Sequence, residues 1–198
     1  LYQMGYSLTK IALFYLVVYA LYFFLIPFGA KFANRYGYEN GMLLGSALYV
    51  VFYISLFLIP QFPFLFFVSA VIYTLQKIFY WPAFHADFAH NSEDSEEARE
   101  ISSISVSNAI MFILGPIIGG LIITYFGFAA LFLIVSVLCL VSNIPMLLTK
   151  EDFDIRTYAY IRVFDIFRKG NIRSLFACIG YAEELIVMVI WPIFMSVV

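Results

Sequence analysis

The sequence predicts an all-α membrane protein, built as a polytopic helical bundle. Hydrophobic residues make up 64% of the 198 residues and charged residues only 12%. Soluble domains are about half apolar and about a quarter charged, so this chain has too few polar side chains to cover a soluble fold. Its apolar runs are continuous and about twice as long as a tilted strand needs, which favours helices over a barrel.

Six apolar runs are long enough to cross a bilayer, for which about 20 residues are needed. The predicted spans cover about residues 11–30, 41–59, 64–84, 101–125, 128–148 and 174–198. Two prolines, Pro60 and Pro63, predict the turn after the second span, and Gly127 predicts a short turn after the fourth. The basic segment 150–173 has regularly spaced apolar residues, which is typical of an interfacial amphipathic helix.

Lysines and arginines predict the orientation of these spans. They follow the first, third and fifth spans, whereas the other two loops carry no charge. The basic loops are therefore expected in the cytoplasm of a multi-pass protein of the cell membrane, with both chain ends on the outer side. Because the chain begins at Leu1 and ends in an apolar run, we expect it to be a fragment of a longer protein.

The net charge of −2 and the absence of a basic patch argue against a nucleic-acid partner. Cys139 and Cys178 lie in apolar runs, which favours packing over a disulfide or metal site. No cofactor or metal site is expected. No nucleotide-binding loop and no cluster of acids, histidines or a nucleophile near one interface is found, so the chain is not expected to be an enzyme.

The polar segment 30–39 reads Ala-Lys-Phe-Ala-Asn-Arg-Tyr-Gly-Tyr-Glu. It resembles the cytoplasmic signature between the second and third helices of the major facilitator superfamily. Arg35 and Gly37 match that signature, whereas Asn34 stands where the family has Asp and Ala30 replaces the first Gly. The resemblance implies a gating latch at these four residues, and the alternative is a plain topology-setting loop.

Two further features strengthen the resemblance. Pro82, Asp87 and Arg99 are placed like the residues around the family's fourth-to-fifth helix loop. A sequence similar to the fifth-helix signature follows, with Gly115, Pro116, Gly119 and Gly120. These residues favour close helix packing with a bend, and a moving hinge is the alternative.

The resemblance implies that the spans are helices two to seven. Residues 1–149 would form most of the N-terminal half, 150–173 the linker and 174–198 the first helix of the C-terminal half. The implied function is a secondary active transporter that moves a small solute by alternating access, with a coupling ion, the lipid bilayer and the remaining helices as candidate partners. The alternatives are a non-transporting scaffold or receptor, and a membrane-embedded enzyme. The family's basic residue near Ala70 is missing, which leaves the coupling open.

Lys77 is the most informative single residue of the apolar spans. It lies about nine residues from the cytoplasmic end of its span, or roughly 13 Å deep, and Glu183 and Glu184 lie at roughly 15 Å. Since charges at this depth usually face a cavity, we predict that Lys77 faces Glu183 or Glu184 across a substrate pathway, as a substrate contact or a gating pair, with Gln76 and Tyr73 beside them. The alternative is that the Lys77 side chain extends to the membrane surface and that Glu183 and Glu184 lie near that surface. In this alternative, Tyr73 only packs against neighbouring helices.

Overall fold

A computed structural model describes residues 1, 4–92 and 96–148 of the chain. It contains five helices, which are α1 (Leu8–Tyr36), α2 (Tyr38–Leu58), α3 (Leu65–Asn91), α4 (Glu97–Val141) and α5 (Ile144–Leu148). These described residues contain no strand, so the predicted all-α class is confirmed. The predicted linker 150–173 and last span 174–198 lie outside the described residues.

The chain divides into two compact units, one of residues Leu1–Ala12 with Thr157–Val198 and one of residues Leu13–Arg156. In the described part of the first unit, Leu1 accepts a hydrogen bond from the Met4 amide at 3.1 Å, and Lys10 lies 5.8 Å from the centroid of the Tyr6 ring. The helix contacts from Leu13 onward lie within the second unit.

A single residue, Gly37, separates α1 from α2. Its φ of 104° and ψ of 155° belong to a region that residues with a Cβ rarely adopt, so glycine is required at this turn. Its amide donates to the Ala33 carbonyl at 2.9 Å, which closes the last turn of α1. Most of the polar segment 31–40 is therefore helical, because one glycine is enough to turn the chain.

The predicted turns at Pro60–Pro63 and at Gly127 are confirmed. Helix α2 ends at Leu58 and α3 begins at Leu65, with backbone hydrogen bonds back to Leu58 in the connection. In α4, Gly127 has φ 79° and ψ 175°, and this non-helical residue divides the helix into residues 97–126 and 128–141.

Helix α3 is longer than the predicted span, which ended at Phe84. It continues to Asn91, whose side-chain amide donates to the Asp87 carbonyl at 3.1 Å and to its Oδ1 at 2.9 Å. The last turns of α3 are polar, so hydropathy predicts the end of the apolar stretch but not the end of the helix.

Helices α2 and α3 pack closely along two glycines of α2. A Cβ added to Gly41 would lie 2.8 Å from the Cβ of Ala83, and one added to Gly45 would lie 2.7 Å from the Cβ of Tyr80. These distances are too short for two carbon atoms, so only glycine allows this approach. The Gly-x-x-x-Gly spacing is a sequence signal for such contacts in membranes.

The ends of α1, α2 and α3 meet in a small buried cluster of Ala33, Tyr38, Met42 and Ala83. Helix α4 contributes to the described packing mainly after Gly127, where the Phe132 ring lies 5.7 Å from the ring of Tyr53 in α2. Before Gly127, residues 101–118 are exposed.

Three helical segments among the described residues are long and apolar enough to cross a membrane, namely Leu8–Tyr36, Tyr38–Leu58 and Ala98–Leu148. Helix α3, which carries Gln76 and Lys77 near its middle, is not among them. The third predicted span is thus the most polar of the described helices that form the bundle, and it is also the helix that positions the candidate site.

Candidate functional site

Lys77 lies near the middle of α3 with a half-buried side chain. Its Nζ is 4.8 Å from the centroid of the Tyr73 ring and 5.4 Å from the centroid of the Tyr19 ring of α1. Tyr73 precedes Lys77 by four residues, so the helical repeat places both on one face. A cation within about 6 Å of a ring face is attracted by the ring quadrupole. Lys77 makes no ion pair with any carboxylate that the structure describes.

A cavity of about 300 Å³ lies beside Lys77. Residues of α2, α3 and the end of α4 form its walls. The lining residues are Ser46, Tyr49, Tyr73, Gln76, Lys77, Tyr80, Trp81, Cys139 and Ser142. Three residues that were predicted for the substrate pathway, Tyr73, Gln76 and Lys77, are therefore brought together around one space.

Gln76 is the most buried polar residue of the described cavity lining on α3, with 7% of its surface exposed. Its amide forms no hydrogen bond to another described residue. In the described part of the chain, every fully buried side-chain nitrogen or oxygen has a hydrogen-bond partner, so the unpaired amide atoms of Gln76 must be accessible from the cavity. The amide group is therefore available to whatever occupies the cavity, as a donor or as an acceptor.

Three aromatic rings form a nearly parallel group, of which Tyr49 and Tyr73 line the cavity. The rings of Phe52 and Tyr73 have centroids 4.6 Å apart and an interplanar angle of 16°. Tyr49 lies 6.0 Å from Phe52 at 7° and 6.4 Å from Tyr73 at 18°. Since Phe52 and Tyr49 belong to α2, this aromatic group also joins α2 to α3.

The sequence prediction missed a buried polar network behind the cavity. The Ser46 hydroxyl donates to Oδ1 of Asn143 at 3.1 Å, and the Asn143 amide donates to the Cys139 carbonyl at 2.8 Å. The Cys139 thiol also lies 3.8 Å from the Ser46 carbonyl. The available signal was that Ser46 and Asn143 are polar residues in or next to apolar spans, where such groups usually pair.

The predicted latch residues lie around the α1–α2 turn. Gly37 makes that turn, Ala30 and Asn34 are half-buried, and Arg35 is exposed. The Arg35 guanidinium lies 5.4 Å from the centroid of the Tyr36 ring and forms no ion pair with a carboxylate of the described residues. The role of these residues as a latch stays a prediction.

The predicted packing residues of α4 lie on the exposed part of that helix. A Cβ added to Gly115 or Gly120 would meet no atom of the described chain within 4 Å, and one added to Gly119 would lie 3.9 Å from the Leu131 side chain. Pro116 lies inside α4, and the non-helical residue of that helix is Gly127. Their roles in packing and bending also stay predictions.

Asp87 lies near the end of α3, beyond the apolar stretch, and accepts a hydrogen bond from Asn91. Burial raises the pKa of the Asp87 carboxyl above its ordinary value of 3.8, and the negative charge of Glu39 raises that pKa further. His90 and the hydrogen bond from Asn91 act in the opposite direction. Asp87 also lines an open cavity of about 390 Å³ between the end of α3 and the beginning of α4.

The remaining predicted residues are Arg99, Glu183 and Glu184. Arg99 is exposed and pairs with Glu96 at 3.4 Å, one turn earlier in the chain. Glu183 and Glu184 lie outside the described residues. Within the described ranges, no group of three or more His, Cys, Asp or Glu side chains could hold a metal ion.

The family described as the Major Facilitator Superfamily matches residues 1–196, which is nearly the whole chain. The chain belongs to the major facilitator superfamily. The resemblance that was inferred from Arg35, Gly37 and the residues of α4 is confirmed, and so is the all-α membrane fold.

Members of the major facilitator superfamily are membrane transporters and not enzymes, so this protein is a membrane-embedded transporter. No curated protein and no solved structure matches the chain.

Proposed function

We propose that this major facilitator protein is a secondary active transporter that moves a small solute across the cell membrane by alternating access. The supporting observation is the cavity at Lys77, where a cation and the Gln76 amide share one space inside a membrane-embedded bundle. Ionisable side chains are costly in lipid, and in transporters they mark the pathway of the solute. Secondary transporters also hold their substrates between helices near the middle of the bilayer.

The proposed orientation places the α1–α2 turn in the cytoplasm. Lys31 and Arg35 lie at the end of α1, just before that turn, whereas the α2–α3 connection carries no charged residue. Basic residues are retained on the cytoplasmic side of the membrane, which supports this assignment. Gly37 and Arg35 would then form a cytoplasmic latch that favours one gating state, with Arg35 free to engage a carboxylate or helix end in that state.

Alternating access requires that the cavity opens to each side of the membrane in turn. The alternative function, a scaffold or receptor with the same fold, has no such requirement. Access of a water-soluble reagent to Gln76 from both sides would therefore separate the two functions without knowledge of the substrate.

The experiment uses the full-length protein with its native cysteines replaced and with Gln76→Cys introduced. Intact cells and inside-out membrane vesicles are treated with sulfonatoethyl methanethiosulfonate, a charged reagent that does not cross lipid and that attacks thiolates. Since thiolates form only where water reaches the thiol, a pathway position should react in both preparations.

The matched control is Phe67→Cys in the same background. Phe67 lies on α3 but is 66% exposed on the surface of the helix and is not part of the cavity lining. We expect this thiol to face lipid and to stay unmodified in both preparations. Reaction of the Gln76→Cys thiol from one side only, or from neither side, would contradict alternating access through this cavity.

A further inference from the structure

We infer that the cavity at Lys77 recognises a small organic anion through its carboxylate or phosphate group. This inference rests on the proposed function, because it names the substrate class of the same pathway. Lys77 is the charged residue of the described lining, and the lining contains no carboxylate. A cation that has no acid beside it in the described lining attracts an anion and repels a cation.

The remaining polar groups of the lining suit the same ligand. Three tyrosines provide hydroxyl donors, Trp81 provides an indole N–H, and Gln76 provides an amide. Hydrogen bonds from such donors to a charged oxygen are shorter and stronger than bonds between neutral groups. An anion in this cavity could thus replace much of its lost hydration with bonds to the protein.

The surroundings of Lys77 position its charge without neutralising it. Its Nζ lies over the rings of Tyr73 and Tyr19, at 4.8 Å and 5.4 Å from their centroids. Cation–π contacts of this kind attract the ammonium group but leave its net charge intact. None of the described carboxylates forms an ion pair with Lys77, so the described part of the chain does not neutralise its charge.

The size and walls of the described cavity suit a compact ligand. A volume of about 300 Å³ lies at the small end of ligand sites, which run from about 300 to 1,000 Å³. The rings of Tyr49 and Tyr73, which are nearly parallel at an interplanar angle of 18°, both line the cavity. A compact anion with an apolar or planar body fits this combination of one charged group and aromatic walls.

The test compares two thiol reagents of similar size and opposite charge on the Gln76→Cys variant of the full-length protein. One is sulfonatoethyl methanethiosulfonate, and the other is trimethylammonioethyl methanethiosulfonate, each normalised to its rate with free mercaptoethanol. Any effect of the site on thiolate formation acts on both reagents and cancels in their ratio. We expect the anionic reagent to react faster at this position.

Adding Lys77→Gln should lower the ratio of anionic to cationic rate by about tenfold, because a unit charge several ångströms away contributes more than about 1.4 kcal/mol. Lys77→Arg keeps the charge and should keep the ratio, which controls for a packing defect. Lys31→Gln removes a lysine at the exposed end of α1 and should not change the ratio. An unchanged ratio in Lys77→Gln, or faster reaction of the cationic reagent with Lys77 present, would overturn the inference.

A second measurement distinguishes the two anionic groups. The Gln76→Cys thiol is modified with uncharged N-ethylmaleimide in the presence of benzoate, inorganic phosphate or benzamide. Protection by benzoate assigns a carboxylate, protection by phosphate assigns a phosphate, and equal protection by benzamide overturns recognition of the charge. Lack of protection by both anions overturns binding of a small anion at this site.

The two proposals fail in different ways. If the introduced thiol does not react from both sides of the membrane, the pathway itself is wrong. If it reacts from both sides but shows no preference that depends on Lys77, alternating access stands and only the anionic substrate class is wrong.

Discussion

Ser46 and Asn143, which are 97 residues apart in the chain, form a hydrogen bond of 3.1 Å between the Ser46 hydroxyl and Oδ1 of Asn143. Their exposed fractions are only 3% and 5%, so neither group exchanges its partner for water easily. Ser46 also lines the cavity at Lys77. The bond therefore fixes the end of α4 to the cavity wall that α2 contributes.

Ser46→Ala and Asn143→Ala should each lower the free energy of unfolding by about 0.5–2 kcal/mol, because each leaves a buried polar group with fewer partners. The measurement is unfolding of the purified full-length protein by SDS in mixed micelles, followed by circular dichroism. Ser102→Ala serves as the control, since Ser102 is exposed and its hydrogen bond within the described chain is to the Ala98 carbonyl of its own helix. If the two substitutions act on one bond, the double variant should lose less than the sum of the single losses. Full additivity would contradict the bond.

Gly29→Ala should destabilise the protein by about 1–3 kcal/mol or more, as expected for overpacking. An added Cβ on Gly29 would overlap the carbonyl oxygen of Ile78 in α3, and backbone atoms cannot move aside as a flexible side chain can. Gly115→Ala is the matched control, because its Cβ would meet no described atom within 4 Å. Alanine favours a helix over glycine by about 0.5–1 kcal/mol, so the control should be neutral or slightly stabilising. Equal effects in the SDS titration would show that α1 and α3 are not in contact at this point.

Asp87→Asn should stabilise the protein near neutral pH. Burial and the charge of Glu39 raise the pKa of the Asp87 carboxyl above 3.8, so the folded state holds the proton more tightly than the unfolded state does. Wild-type stability must then fall as the pH rises through the raised pKa. The neutral amide avoids this loss. Melting temperatures of the two proteins in detergent should differ most at about pH 7.5 and converge as the pH falls toward 3.8.

The contribution of Glu39 can be tested in the same way. In a Glu39→Gln background the like charge is gone, so the stabilisation by Asp87→Asn near neutral pH should become smaller. A gain that is the same with and without Glu39, or that grows as the pH falls, would contradict this assignment of the cause.

Arg35→Gln should change the gating equilibrium with little effect on stability. Arg35 is exposed, and its described contact is the ring of Tyr36 at 5.4 Å, so folding depends little on it. If the α1–α2 turn is a latch, the variant should shift the ratio of Gln76→Cys labelling between intact cells and inside-out vesicles. Lys31→Gln, which removes a charge from the same helix end, is the control. If the labelling ratio changes in neither variant, the turn only sets the topology and is not a latch.

The class of the protein could be predicted from the sequence because it depends on composition and on local backbone chemistry. A chain with 64% hydrophobic residues needs lipid around it, and this does not depend on any particular contact. The turns at Pro60–Pro63, Gly37 and Gly127 follow from residues that act on their own backbone. The order of these features along the chain, with Arg35 and Pro116, was enough to predict the family.

Only the tertiary structure brought Ser46, Cys139 and Asn143 to the cavity at Lys77, and only it set Gly29 against Ile78. These contacts join residues that are far apart in the chain, and they depend on how the helices turn and approach one another. Hydropathy is nearly uniform around α2 and α4, so the sequence pattern does not indicate which face of these two helices meets a neighbour. The importance of Lys77 and Gln76 could be predicted because a polar side chain inside an apolar span is costly in lipid and therefore usually faces a cavity or a partner. The other lining residues include serines, tyrosines and a cysteine, which are common residue types in such helices. Their position at the cavity depends on helix packing and could not be predicted from the sequence.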